Sequence, residues 1–463
     1  MKYDAIIIGS GQAGPPLAKA LAKDGQRVAV IEGDLLGGTC LNYGCLPTKA
    51  LRTSATVAHT VRRAGEYGVQ TSEVSVDFQQ AMGRMREIIG QMQDGFSEGL
   101  RGTDGLDVIE GYARFVGTKD GVHQVEVDGE THESEQIFLN TGARAVIPPI
   151  EGIDQITPLT NAEMLKLDRL PEHLIVIGGG YVGLEFGQMF LRFGSQVTII
   201  EAERRILSNE DEDMAEAISE MLSEEGMKMI TGQRVKKVSK QDDGRIEVTI
   251  EAKDESTETI LGTHVLVATG RKPNTDKLNL EAVGVKTNDK GYITVNGKLE
   301  TDVKGIWALG DINGRGAFTH TSYQDHEIVL ANLNGGNRTV DGRIMAYNIY
   351  IDPPFGKVGM SETDAWKSGK QVLIARQRMQ DITRAKLESH TTGQLKLLVD
   401  AETEQFLGAQ IFGMKADEII QIISYFMHTG ASYKVMRDAL PIHPTIAETF
   451  PTVLGMLKPL DEG

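Results

Sequence analysis

The chain has 463 residues, a formal net charge of −17 and only two cysteines. That length leaves room for about two to four domains with sizeable cores, and the acidic balance argues against nucleic acid or anionic membrane as a partner. No apolar run reaches the roughly 18 residues of a membrane span, and a strand over Tyr3–Ile8 leaves no room for a signal peptide, so the expected compartment is the cytoplasm.

The first element group is Asp4-Ala-Ile-Ile-Ile-Gly9-Ser-Gly11-Gln-Ala-Gly14, then a helix to about Lys23, then Arg27-Val-Ala-Val-Ile-Glu32. It is a strand, a GxGxxG turn, a helix and a second strand ending in an acid. Those glycines let a backbone approach a pyrophosphate at a helix N-terminus, and the acid accepts from a ribose hydroxyl.

Both cysteines follow at once, in Gly37-Gly38-Thr39-Cys40-Leu41-Asn42-Tyr43-Gly44-Cys45-Leu46-Pro47-Thr48-Lys49. In a regular helix, positions so spaced have Cα atoms roughly 8–9 Å apart, whereas a disulfide needs about 4.4–6.8 Å. The pair can close only if the backbone between them leaves the helix, which Gly44 permits. Gly37–Pro47 therefore reads as an irregular lead into a helix from about Thr48, with Pro47 suited to a first turn. A helix N-terminus nearby favours a thiolate. Two reduced, buried cysteines without chemistry remain the alternative. A short crosslink stabilises little, and a cytoplasmic disulfide is more often catalytic than structural.

Helices are expected over Leu51–Ala64 and Phe78–Leu100, and an alternating meander over about 106–140, ending in Asn140-Thr141-Gly142. The first motif then recurs: Leu174-Ile-Val-Ile-Gly178-Gly-Gly180-Tyr181-Val182-Gly183, a helix to Phe193, and Gln196-Val-Thr-Ile-Ile-Glu201. The acid stands the same distance past the third glycine in both copies. One GxGxxG is weak; two complete units are not, and they imply two dinucleotides. Ser208–Asp213 and Asp254–Glu258 read as short solvated acidic clusters. The Thr-Gly ending recurs at Thr269-Gly270, and Gly305-Ile-Trp-Ala-Leu-Gly310-Asp311 reads as a buried strand running into a Gly-Asp turn. Beyond about 345 come strands without nucleotide signals (Ala346–Ile351, Val372–Arg378, Gly393–Leu398, Gly408–Phe412). A helix over Ala416–Thr429 precedes Leu440-Pro-Ile-His443-Pro-Thr-Ile-Ala-Glu448. Met414, Met427 and Met436 read as core filler, and no metal-ligand spacing is present.

In combination these motifs resemble the class I pyridine nucleotide–disulfide oxidoreductases, the group of dihydrolipoamide dehydrogenase, glutathione reductase and mercuric reductase, over essentially the whole chain. The resemblance implies an α/β fold: two Rossmann-like FAD/NAD(P)-binding domains plus a C-terminal α+β dimerisation domain. It assigns residues 1–148 to an FAD-binding domain with the redox disulfide and 149–270 to an NAD(P)-binding domain. Residues 271–342 return to the FAD-binding (central) domain, and 343–463 form the interface of a homodimer.

It also implies roles. Gly9, Gly11, Gly14 and Glu32 would hold the adenosine half of FAD, with Gly38, Thr39, Thr141, Gly142, Gly310 and Asp311 along the rest of the cofactor. Lys49, paired with Glu185, would sit near the flavin. Gly178, Gly180, Val182, Gly183, Glu201 and Gly270 would hold NAD, and Tyr181 would cover the nicotinamide pocket and move when it fills. Cys45 would be the thiol nearest the flavin and Cys40 the one that attacks substrate. His443, oriented by Glu448, would be the acid–base partner supplied by the other subunit, as suits a dithiol at neutral pH. His320, in Phe318-Thr-His-Thr-Ser-Tyr323, should lie near the flavin in a packing role.

Glu201 accepts from a 2′-hydroxyl and repels a 2′-phosphate, which favours NADH over NADPH; Arg204 and Arg205 just downstream soften that preference. Within the family, the absence of cysteines beyond Cys45 disfavours efficient mercury reduction and excludes the large thioredoxin reductases. The wording around the cysteines and after the Gly-Asp turn is most similar to bacterial mercuric-reductase-like proteins, whose small-molecule acceptor is a metal ion, a quinone or a disulfide. Dihydrolipoamide dehydrogenase is the runner-up, although Pro441 stands where its motif has a second histidine. A flavoprotein that binds both dinucleotides as a scaffold or sensor is the reading from another class, and the intact set Cys40, Cys45, Lys49, Glu185, His443 and Glu448 speaks against it.

Overall fold

A computed structural model describes residues 1–460. Strand β1 (Ala5–Ile8) leads into helix α1 (Gly14–Lys23), and β2 (Val28–Glu32) pairs with β1 in parallel. Helices α2 (Gly38–Asn42), α3 (Cys45–Arg62) and α4 (Phe78–Arg101) follow. Strand β3 (Leu106–Glu110) then joins the far side of β2, also in parallel. This corrects one expectation: 106–110 belongs to the parallel sheet, and the meander is the antiparallel trio β4 (Arg114–Lys119), β5 (Val122–Val127) and β6 (Glu130–Ser134). Strand β7 (Ile137–Leu139) returns beside β1.

The second unit repeats the plan. Strand β8 (His173–Ile177), helix α5 (Tyr181–Phe193) and β9 (Gln196–Glu201) are followed by helix α6 (Glu212–Glu224) and β10 (Lys228–Thr231). An antiparallel trio comes next: β11 (Gln233–Lys240), β12 (Ile246–Ala252) and β13 (Thr257–Gly262). Strand β14 (His264–Val267) completes a parallel sheet in the order β10-β9-β8-β14. Strand β15 (Ile306–Ala308) goes back to β7 and closes the first sheet as β15-β7-β1-β2-β3, and helix α7 (Thr319–Leu333) follows it.

The apolar strands of the two units are buried on both faces, as parallel sheets require. Ala5 and Ile7 face α1 and α7, whereas Ile6 and Ile8 face the meander through Phe115 and Val125. In the second unit Leu174 and Val176 face α5, and Ile175 and Ile177 face β11 and β12. The internal repeat thus extends from motif to layer.

The last part is an antiparallel sheet. Its strands are β16 (Ala346–Ile349), β17 (Phe355–Gly359), β18 (Val372–Arg378), β19 (Gln394–Asp400), β20 (Phe406–Phe412) and β21 (Lys458–Pro459), in the order β16-β17-β20-β19-β18-β21. Strand β17 was not expected, because Phe355-Gly-Lys-Val-Gly359 behind two prolines carries little strand signal. Helix α8 (Ala416–Thr429) covers the sheet through Ile419, Ile420 and Ile423, and Met414 and Met436 fill the same core with Met427 at its edge.

The acidic cluster Ser208–Asp213 is not solvated as expected. Glu210 is 7% and Asp211 5% exposed. Lys357 and Lys396 face them from one row of the sheet, each opposite Gln410. Lys357 Nζ is 3.1 Å from Glu210. Lys396 Nζ is 3.1 Å from Asp211, 2.8 Å from Asp213 and 2.7 Å from Glu362. Burial by itself depresses a lysine, but the three carboxylates lift Lys396 above its ordinary value. Asp254–Glu258, in contrast, is exposed as expected. Lys396→Met leaves a buried carboxylate without its cation, so the unfolding free energy should fall by about 3 kcal/mol, read as a lower urea midpoint; an unchanged midpoint would mean that water already screens the acids.

Candidate active site

Both nucleotide loops are tied down by the acid that ends the second strand of their unit. Glu32 accepts from Ser10 N at 2.8 Å and Ser10 Oγ at 2.7 Å with one oxygen, and from Asp34 N at 3.0 Å with the other. Glu201 likewise accepts from Gly179 N at 2.7 Å and Glu203 N at 2.8 Å. A carboxylate has about four lone-pair positions, so each keeps capacity for a ribose hydroxyl. Gly9 and Gly178 adopt φ of +102° and +111°, which favour glycine. A Cβ on Gly14 would lie 2.4 Å from Gly9 O, and one on Gly183 would lie 2.2 Å from Gly178 O. Asn140 locks the first loop to the sheet: its Oδ1 accepts from Gly14 N at 3.0 Å and its Nδ2 donates to Leu309 O at 2.9 Å.

Two cavities adjoin these loops. One, of about 770 Å³, is lined by Gly178, Gly180, Tyr181, Val182, Glu201 and Gly270 among others. The second, of about 710 Å³, runs from Gly11 past Thr39, Gly142 and Asp311 to both cysteines and Lys49. Gly38 lies behind it, where a Cβ would meet Gly11 Cα at 2.8 Å, and Thr141 donates to Asn274 O at 3.0 Å. Gly310 N is bound by Asp325 at 2.8 Å, which aims the Gly-Asp turn. Burial raises Asp311 despite Arg271 at 3.8 Å. A glycine-lined trough that opens onto a thiol pair fits a flavin dinucleotide, and the glycine-lined first cavity fits a second dinucleotide.

The backbone does leave the helix between the cysteines. Helix α2 ends at Asn42, and α3 begins at Cys45 rather than near Thr48. Gly44 makes the break at φ −135°, ψ −115°, and Thr48 Oγ1 donates back to Gly44 O at 2.8 Å. Pro47 fits because first-turn amides have no helical partner. Cys45 consequently stands at a helix N-terminus, open to the cavity.

The two thiols are chemically unequal. A hydrogen bond from Cys40 is the largest influence on Cys45; against burial, and helped by Thr319 Oγ1 at 3.2 Å and the Lys49 charge, it brings Cys45 down to about 6. The same hydrogen bond, burial and the Cys45 charge push Cys40 far above the ordinary thiol range. The pair therefore favours negative charge on Cys45 and the proton on Cys40. Lys49 Nζ is 3.0 Å from Glu185 and 4.2 Å from the centre of the Tyr350 ring, and Glu185 also accepts from Tyr350 N at 2.8 Å. The lysine charge is thereby fixed beside the sulfurs.

His443 Nδ1 lies 2.8 Å from Glu448, on a segment where Leu440 is 96% and Ile442 78% exposed. Neither His443 nor Glu448 lines the thiol cavity of its own chain. His320 lines that cavity with Nε2 bonded to Ala346 O at 2.7 Å, and burial lowers its basicity. Thr319 is the residue sequence reasoning passed over. Its segment draws attention by His320, whereas a threonine at the start of a helix after the Gly-Asp turn is the available signal.

Residues 3–325 match the family described as pyridine nucleotide-disulphide oxidoreductase, and 345–454 match its dimerisation domain. The chain is 36% identical over 463 residues to the probable pyridine nucleotide-disulfide oxidoreductase RclA of Escherichia coli, covering 99% of this chain and all of the relative. It is 33% identical to mercuric reductase of Staphylococcus aureus, with 96% of this chain and 81% of that one covered. With dihydrolipoyl dehydrogenase of Thermus scotoductus the identity is 32%, and 96% and 95% are covered. The solved structure of the HOCl-induced flavoprotein disulfide reductase RclA from E. coli superposes with a TM-score of 0.89 at 35% identity, over 98% of this chain and 100% of that one; the same flavoprotein has also been solved as a Cu(II) complex. The chain belongs to the pyridine nucleotide-disulphide oxidoreductase family and is an FAD-dependent enzyme with a dimerisation domain. Among the described residues, no helix is long and apolar enough to cross a membrane.

Alkylation of the reduced protein by iodoacetamide, mapped to Cys45 by mass spectrometry, should rise with a midpoint below that of an ordinary thiol. Thr319→Val removes a donor to the thiolate, so its midpoint should move to higher pH; coincident profiles would remove Thr319 from the account.

Proposed function

We propose that the chain takes an electron pair from NADH, stores it on Cys40 and Cys45, and delivers it to a small acceptor of the mercuric-reductase-like kind, a metal ion, a quinone or a disulfide. The observation that carries this is the unequal thiol pair beside the Lys49–Glu185 pair, in a cavity that shares a wall with the second nucleotide cavity. FAD, held by Gly9, Gly11, Gly14, Glu32, Thr39 and Asp311, supplies the exchange between hydride and electron-pair transfer that sulfur and nicotinamide cannot perform together.

Reduction of a Cys40–Cys45 disulfide by two electrons and one proton gives the Cys45 thiolate and the Cys40 thiol. Lys49 stabilises the negative charge as it arrives. Cys40 keeps its proton at neutral pH, so it needs a base before it can attack. His443, fixed by Glu448 on an exposed segment of the dimerisation region, serves that need in the thiol cavity of the partner subunit. Tyr181 covers the nicotinamide side and moves aside for it.

Glu201 supports NADH over NADPH, since a carboxylate at the end of that strand accepts from a 2′-hydroxyl and repels a 2′-phosphate. Arg204 pairs with Glu212, and Arg205 donates to Ser208 O and Glu210 O, so both have other engagements. The Cu(II) complex of the E. coli flavoprotein makes a cupric ion the first acceptor to try: NADH + 2 Cu(II) → NAD⁺ + H⁺ + 2 Cu(I).

The acceptor test follows anaerobic NADH consumption with Cu(II) and with oxidised lipoamide. Turnover with Cu(II) and little with lipoamide is expected; rapid turnover with lipoamide would replace this reading with a dihydrolipoamide dehydrogenase. Cys45→Ser should abolish turnover with either acceptor. Glu201→Ser should shift the NADH/NADPH ratio of kcat/KM toward NADPH by roughly tenfold, the size of one charged hydrogen bond; an unmoved ratio would rule out Glu201 as the discriminator.

A further inference from the structure

The two cavities share a wall that includes Tyr181, Phe318 and Tyr347. These residues come from the start of α5, the residue before α7, and β16. Phe318 stacks on Tyr347 with ring centres 5.0 Å apart and planes 8° apart, and Tyr181 leans on Phe318 at 6.4 Å. Stacked rings slide easily, but one of these is pinned. Tyr347 donates its phenol to one oxygen of Glu210, and the other oxygen accepts from Lys357 Nζ at 3.1 Å. Glu210 is 7% and Lys357 8% exposed. Apolar residues would serve stability alone as well as a buried ion pair does. A directional pair does something they cannot: it fixes where the phenol oxygen, and hence the ring, must lie.

We propose that Lys357, Glu210 and Tyr347 form a brace that holds Phe318 as the fixed plate of a partition, on which the movable Tyr181 closes, shielding the reduced centre from water and dioxygen. The brace spans two regions, since Glu210 lies on the loop after β9, which lines the nucleotide cavity, and Lys357 lies on β17. The three brace residues act by positioning and touch neither cysteine. The proposal rests on the electron path described above. A leak through a loosened partition would be NADH + H⁺ + O₂ → NAD⁺ + H₂O₂, in which hydride and a proton go to dioxygen and the acceptor receives nothing.

The test uses the full-length FAD-loaded protein and Tyr347→Phe, which keeps the ring and removes only the anchoring hydroxyl. Two quantities are measured: the iodide quenching constant of flavin fluorescence, and the peroxide formed per NADH in air. Both should rise by about fivefold, the effect of one hydrogen bond. Phe318→Leu, which removes the partition's central plate and leaves the brace, should move both in the same direction. If Tyr347→Phe leaves iodide quenching at the parent value, whatever its melting temperature, the brace is refuted. Quenching needs no NADH, so it judges the brace separately from the electron path. Failure of the parent protein to form a thiolate with NADH would count against the path alone.

Discussion

The site depends on Cys40 and Cys45 lining one cavity side by side, and that placement depends on a broken helix. In one continuous helix the two sulfurs would stand too far apart to interact. Ending α2 at Asn42 and starting α3 at Cys45 brings them together and also places Cys45 at a helix N-terminus. The same break creates the inequality. Burial and its neighbour keep the proton on Cys40, while Thr319 and Lys49 favour the charge on Cys45. A pair with one thiolate and one protonated thiol holds two electrons more than the disulfide.

Around that pair the chain uses one device twice. A carboxylate at the end of the second strand captures the backbone of the glycine loop, through Glu32 in one unit and Glu201 in the other. These bonds hold the loop backbones without any ligand, which reduces the ordering left to oppose binding. The third region contributes through charge. Lys357 and Lys396 reach from its sheet to the loop after Glu201, and Arg192 of α5, 4% exposed at its side chain, pairs with Glu225 and with Asp352 just after β16. Movement of the nucleotide-binding unit against the antiparallel sheet would have to break these buried pairs together.

What was legible in the sequence was local. The glycine–acid units, α1, α5 and α8 follow from spacings within about 30 residues, where strand, turn and helix signals reinforce one another. The cysteine segment was legible as a break with Pro47 in a first turn, although its helix begins at Cys45 rather than near Thr48. What was not legible was long-range. Glu210 and Asp211 looked like solvated acids because Lys357 and Lys396 are 147 and 185 residues away. Thr319 approaches Cys45 across 274 residues. Strand β17 hides a buried lysine between glycines and has no strand pattern of its own; its pairing with β16 and β20 makes it a strand.

The most direct test of the central claim, that Cys45 becomes a stable thiolate beside the flavin while Cys40 keeps its proton, is the visible spectrum during anaerobic addition of one equivalent of NADH. The account predicts a long-wavelength absorption band, from a thiolate in contact with oxidised flavin, while most of the main flavin absorbance survives. Cys45→Ser should lose the band and Cys40→Ser should show it without any NADH. Simple bleaching of the flavin by one equivalent, with no such band at neutral pH, would contradict the account.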